Sequence, residues 1–188
     1  MEHRAWMVMA MLSMSILSFL EPRLAAGSGD DVPTVGEQAP DVTLLDQDGN
    51  TVTLSALWAR GPLVVYFYPR DQTPGCTAQA CSFRDANDDM ARAGLQVVGI
   101  SLDTVESHQR FAAKKHLSFT LLADPDGEAS TAYGVKSSFM GFPIARRVTF
   151  LIDPSGEIRN VWDPAQASGH AEQVLQWVRD QGALAEAG

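Results

Sequence analysis

The run Leu63-Val64-Val65-Tyr66-Phe67-Tyr68 constrains the fold more than any other stretch. It is apolar and aromatic throughout, rich in β-formers, and bounded by Gly61-Pro62 and Pro69, so it reads as a strand buried on both faces. A strand of that kind needs a layer of structure on each side. Turn signals at Pro69, Pro74 and Gly75 lead into a helical pattern from Cys76 to Ala93, ended by Gly94 at a C-cap position. Gln96 to Ser101 reads as a second buried strand, Val105 to Lys115 as a second helix and Phe119 to Leu122 as a third strand. Strand, crossover helix and parallel strand, repeated, predict an α/β fold with a central sheet and helices on both faces.

The flanks fit around that unit. Asp41 to Leu45 and Thr51 to Leu54, joined through Asp48-Gly49-Asn50, predict an N-terminal β-hairpin, followed by a helical turn at Ser55 to Trp58. After the Asp124-Pro125-Asp126-Gly127 turn, Ala129 to Tyr133 reads as a short helix, and 135–145 as irregular. Arg147 to Ile152 and Ile158 to Trp162 form a second expected hairpin, and His170 to Gln181 a final amphipathic helix. No repeat or second boundary interrupts this, so one domain is expected over 36–182, with a lead-in at 27–35 and a tail at 183–188.

The N-terminus has a different character. His3 and Arg4 precede an apolar stretch from Ala5 to Leu20, and Leu24-Ala25-Ala26 supplies small residues before Gly27. That is the plan of a signal peptide over 1–26, with cleavage near Ala26 and export to the periplasm expected. An uncleaved membrane anchor is the alternative. The net charge of −9 argues against nucleic acid and against an anionic membrane surface as partner. No Gly-rich phosphate loop follows a strand, and no cofactor or metal is expected.

The chain has two cysteines, Cys76 and Cys81. Cys76 falls where a loop from the buried strand opens a helix, and the free N–H groups and dipole there favour a thiolate. On an ideal helix, residues five apart lie ~140° apart around the axis and ~7.5 Å apart along it. Their Cα atoms are then ~8–9 Å apart, beyond the ~7 Å limit for a disulfide. The pair cannot bridge while the helix is intact. This spacing suits a thiol that reacts first and is captured later, through local melting of the helix, better than a permanent crosslink.

Pro69-x-Asp71-x-Thr73-Pro74-Gly75-Cys76-Thr77, with Cys81 and Phe83-Arg84-Asp85, resembles the active-site signature of the peroxiredoxins, in the bacterioferritin comigratory protein or peroxiredoxin Q branch. The resemblance runs from about Gly36 to Val178 and includes Ser101-Leu102-Asp103, Ser138-Phe139-Met140-Gly141 and Arg147 to Asp153. It implies a thioredoxin-like fold and a thiol peroxidase acting on hydrogen peroxide and organic hydroperoxides. Cys76 is then the peroxidatic cysteine, forming a sulfenic acid. Cys81 is the resolving cysteine, giving a Cys76–Cys81 disulfide that a thioredoxin-like dithiol reduces. Thr73 is expected to hydrogen-bond the thiolate and a peroxide oxygen, and Arg147 to place positive charge beside both. The Gly75 and Cys76 N–H groups add to this, and Pro69 shields the sulfur. Gln79 stands where Glu is common in the family, and little effect on the chemistry is expected beyond a missing salt link. The resemblance favours a monomer, because the resolving cysteine is in the same chain, with a dimer as the alternative.

Other residues read as structural. Arg146 is expected at the surface, Arg84 paired with a nearby carboxylate, and Trp58, Trp162 and Trp177 in or near the core, with Phe139 and Trp162 possible pocket residues. His108, His116 and His170 are expected at the surface or at helix caps. A thioredoxin-type oxidoreductase requires Cys-x-x-Cys, which is absent. A copper carrier requires a closer cysteine pair and a histidine ligand. A thiol redox sensor shares the first chemical step and stays open as an alternative.

Overall fold

The structure, a computed structural model, describes residues 31–181. The expected signal segment, the lead-in up to residue 30 and the expected tail lie outside those residues. In chain order the elements are β1 (Thr43–Asp46), β2 (Thr51–Thr53), α1 (Leu54–Trp58), β3 (Leu63–Phe67), α2 (Pro74–Asp85), α3 (Asn87–Arg92) and β4 (Gln96–Ser101). They continue with α4 (Val105–Lys115), β5 (Thr120–Ala123), α5 (Glu128–Ala132), β6 (Lys136–Phe139), β7 (Phe142–Ala145), β8 (Val148–Ile152), β9 (Ile158–Trp162) and α6 (His170–Asp180).

A 7-stranded mixed sheet runs β2-β1-β5-β4-β3-β8-β9. β3, β4 and β5 are parallel, while β8 and β1 join them antiparallel. Every residue of β3 is buried. Alternation along the strand divides it between two cores. Leu63, Val65 and Phe67 pack with Leu54, Trp58, Ala129 and Tyr133 on the α1 and α5 face. Val64, Tyr66 and Tyr68 pack with Phe83, Phe111 and Val174 on the α2, α4 and α6 face. This is the α/β sandwich that the strand and helix pattern predicts, and the thioredoxin-like fold that the resemblance implies. Gly99 shows why one position lacks a side chain: a Cβ there would sit 2.7 Å from the Tyr66 ring and hydroxyl. Without it, Tyr66 lies across β4 and stacks on Phe83 of α2 at 5.0 Å. Truncating Phe83, which is fully buried, would cost about 3–5 kcal/mol.

Two sequence expectations are corrected. The single helix from Cys76 to Ala93 is two helices broken at Ala86, whose ψ is 8°. The reason lies in Asn87-Asp88-Asp89: Asn and Asp compete poorly in a helix interior, whereas Asp88 and Asp89 favour the first turn of a new helix. The irregular stretch at 135–145 is a hairpin, β6 paired with β7, whose turn is Met140-Gly141 with both φ angles positive. Positive φ at both central residues is the turn that matches strand twist, and Asn-Gly is its usual signal. Met-Gly carries that signal weakly, so the turn was hidden.

Candidate active site

The turn after β3 carries the chain from Tyr68 to Thr73, and α2 starts at Pro74, two residues before the position expected from sequence. Pro74 suits the first helical position, where the missing N–H would be unpaired anyway. Cys76 is the third residue of the helix and is buried. Thr77 makes the first helical bond, to the Thr73 carbonyl, so the Gly75 and Cys76 N–H groups have no partner within the helix. The sulfur therefore belongs to the positive end of α2.

Arg147 reaches it from the other end of the sequence. In the β3–β8 register Phe67 lies opposite Val148. The residue before β8 and the loop after β3 thus share one edge of the sheet. Arg147 Nη2 donates to Cys76 Sγ at 3.2 Å. Gly75 makes room for it, since a Cβ there would stand 3.3 Å from Nη2. Arg147 Nη1 donates to Gln79 Oε1, one helical turn beyond Cys76. Gln79 is fully buried, and its Nε2 has no hydrogen-bond partner. Sequence reasoning gave Gln79 little weight; its place three residues after Cys76, on the same helix face, was the signal for it.

The remaining expected site residues lie nearby with different partners. Thr73 is the N-cap by position, but its hydroxyl donates to the Arg70 carbonyl at 3.1 Å and not to Cys76. Pro69 is half-buried and directly follows Tyr68. Cys81 is free, partly exposed, and on the same intact helix as Cys76. Arg84 pairs with Asp85 at 2.7 Å, as expected, and also donates to the Lys115 carbonyl that ends α4. Its charge is reinforced first by Asp85 and further by the neighbouring Cys81 sulfur. Arg146 pairs with Asp163 at the surface. Phe139 is two-thirds exposed at the β6–β7 tip, with Met140 and Phe142 beside it.

The histidines overturn the sequence expectation. His108 and His170 are fully buried, and only His116 caps a helix, in the left-handed conformation after α4. His108 Nδ1 meets Asp71 Oδ2 at 2.9 Å, and Nε2 meets the Leu122 carbonyl at 3.1 Å. Asp71 also accepts from Tyr68 and Ser107, while its own N–H donates to Asp103. Burial works to raise the Asp71 pKa, but the His108 contact and the hydroxyl donors outweigh it and hold the carboxyl below its ordinary value. This buried network pins the turn that leads into α2. His170 bonds Thr149 and Gln173 and packs edge-on against Phe83 of α2. Burial first, with the nearby Arg147 charge adding to it, pushes its pKa down to about 4 against the Gln173 bond. Sequence pattern offers no sign of either burial, because each histidine lies between polar or small residues, Ser107 and Gln109 in one case and Gly169 and Ala171 in the other. Among the described residues no cluster of three His, Cys, Asp or Glu could hold a metal.

The Cys76 thiol at the start of α2 is thus bonded by a guanidinium from the residue that precedes β8. Residues 35–161 match the AhpC/TSA family profile. The chain belongs to the AhpC/TSA family. Peroxiredoxin Bcp of Escherichia coli (strain K12) is 44% identical over 149 residues, covering 77% of this chain and 95% of that protein. The chloroplastic peroxiredoxin Q of Sedum lineare is 43% identical over 144 residues, 76% of each chain. Among solved structures, the bacterioferritin comigratory protein of Xanthomonas campestris superposes with a TM-score of 0.71 at 33% identity, over 79% of this chain and 99% of that one. The chain is thus a peroxiredoxin of the bacterioferritin comigratory protein and peroxiredoxin Q branch, and its class is that of a peroxidase, an oxidoreductase.

Proposed function

We propose that this peroxiredoxin reduces hydrogen peroxide and organic hydroperoxides through Cys76, with Cys81 as the resolving thiol. The observation that carries the reading is the 3.2 Å bond from Arg147 Nη2 to Cys76 Sγ at the start of α2. The Cys76 thiolate attacks one peroxide oxygen, and the O–O bond breaks. The leaving oxygen takes a proton as water or alcohol, and Cys76 becomes a sulfenic acid. Arg147 and the Gly75 and Cys76 N–H groups are positioned donors for the charge that develops on oxygen. The Xanthomonas campestris relative was solved in connection with alkyl peroxide reduction, which supports an organic hydroperoxide as one substrate.

Cys81 then attacks the sulfenic sulfur, water leaves, and a Cys76–Cys81 disulfide forms. Both residues lie on α2, so the first turns of that helix must open for the sulfurs to meet. The Arg84 and Ser82 contacts to Lys115 and Ala171 hold the far end of α2. A thioredoxin-like dithiol reduces the disulfide and returns the helix. The apolar run from Ala5 to Leu20 supports export, with the protein working as a monomer. The test is peroxide consumption by the full chain with a thioredoxin, its reductase and NADPH, with mass spectrometry of the oxidised protein. Turnover with a Cys76–Cys81 crosslink is expected. Turnover without that crosslink would overturn the resolving role of Cys81, and no peroxide consumption would overturn the peroxidase.

A further inference from the structure

One guanidinium bridges Gln79 and Cys76: Nη1 donates to the amide oxygen and Nη2 to the sulfur. Among the described residues Arg147 makes no salt bridge, although Arg146 beside it does. The amide nitrogen of Gln79 is buried without an acceptor, which is a standing cost. Glutamate has the same length, would leave no donor orphaned, and would gain an ion pair with Arg147. The chain therefore bears a penalty to keep this contact neutral.

We propose that Gln79 is a positioning residue whose neutrality leaves the whole Arg147 charge to the Cys76 thiolate and the peroxide oxygen, while its carbonyl holds the guanidinium in place. This deepens the peroxidase reading and rests on it. A carboxylate across one guanidinium from the sulfur would stand roughly 6 Å from it, and at an effective dielectric of about 20 a unit charge there moves an ionisation by about one to two pH units. The other ionisable groups facing this spot leave Arg147 as the dominant charge. Tyr66 from β3 stays neutral, its pKa pushed well above 10 by burial. His170 from α6 is also neutral near pH 7, its pKa held at about 4 by burial. The Asp71 carboxylate, in the turn before α2, is engaged by Tyr68, Ser107 and His108. Cys81 is farther along the same helix.

The test is the pH dependence of the second-order rate of Cys76 oxidation by hydrogen peroxide, measured on the full chain as wild type, Gln79→Glu and Gln79→Met. Gln79→Glu should move the acid limb up by about one to two pH units, so the rate on the acid side of the limb falls by about 10- to 100-fold and recovers at alkaline pH. Gln79→Met keeps the site neutral but drops the acceptor. It should leave the limb within about half a unit and lower the plateau several-fold, because Arg147 loses its holder. An unmoved limb in Gln79→Glu, or a limb in Gln79→Met that moves as far, overturns the proposal. If Gln79→Glu does not fold, Gln79→Met decides alone: a lowered plateau with an unmoved limb supports it, and either a moved limb or an unchanged plateau overturns it. An inactive wild type would instead defeat the peroxidase reading, and this role with it.

Discussion

His170 should make the protein lose stability in mild acid. Its ring is fully buried between Thr149 and Gln173, with Phe83 and Trp162 against its faces and edges. Neutral imidazole fits that site: Nδ1–H donates to the Gln173 amide oxygen and Nε2 accepts from the Thr149 hydroxyl. Burial lowers the folded pKa from 6.5 to about 4. Between those values the unfolded chain binds a proton that the folded chain does not, so stability rises with pH and is lost as pH falls. Linkage with these two values gives a loss of about 2 kcal/mol between pH 7 and pH 5, approaching about 3 kcal/mol by pH 4. Out of a typical 5–15 kcal/mol, that is a large share. The assay is urea unfolding of the reduced protein at pH 7, 6 and 5, compared with His170→Gln, which cannot titrate. The wild type should lose about 2 kcal/mol more than the variant over that range. Equal pH dependence in the two would refute the assignment of a buried, neutral His170. The consequence for function is direct, because the ring supports Phe83, the residue that packs the cysteine-bearing helix α2 against Tyr66 of the sheet.

Cys76→Ser should abolish peroxide consumption; retained turnover by a stopped assay would remove it from the chemistry. Cys81→Ser should complete one round of Cys76 oxidation but fail to recycle with a dithiol reductant, read as a single stoichiometric burst. Arg147→Ala should slow Cys76 oxidation by about 10²–10³-fold, the usual cost of losing one positioned donor, and an unchanged rate would place it outside the site. Asp71→Ala should lower stability by about 3–5 kcal/mol in urea unfolding, because it strands His108, Tyr68 and Ser107 in the interior. A loss below about 1 kcal/mol would show that the network does not pin the turn.

Part of this protein was legible from short stretches of sequence. The apolar run at Leu63 to Tyr68 demanded two covering layers, and both cores are there. The turn signals at Pro74 and Gly75 placed a helix start at Cys76, two residues late, and the spacing of Cys76 and Cys81 on that helix followed from residue counting alone. These features are local, decided by backbone sterics and by side-chain period. The motif around Cys76 also carried the family, and with it the expectation that Arg147 matters.

What only the tertiary structure decided were contacts between distant residues. Arg147 meets Cys76 across 71 positions of sequence because β8 pairs with β3 in one particular register, and a slip of one residue would turn every side chain to the other face. The same packing buried His108 and His170. It also drew Gln79 into the site. Nothing in the pattern around Gln79 says that its amide faces a guanidinium, since that guanidinium belongs to Arg147, 68 positions further along the chain.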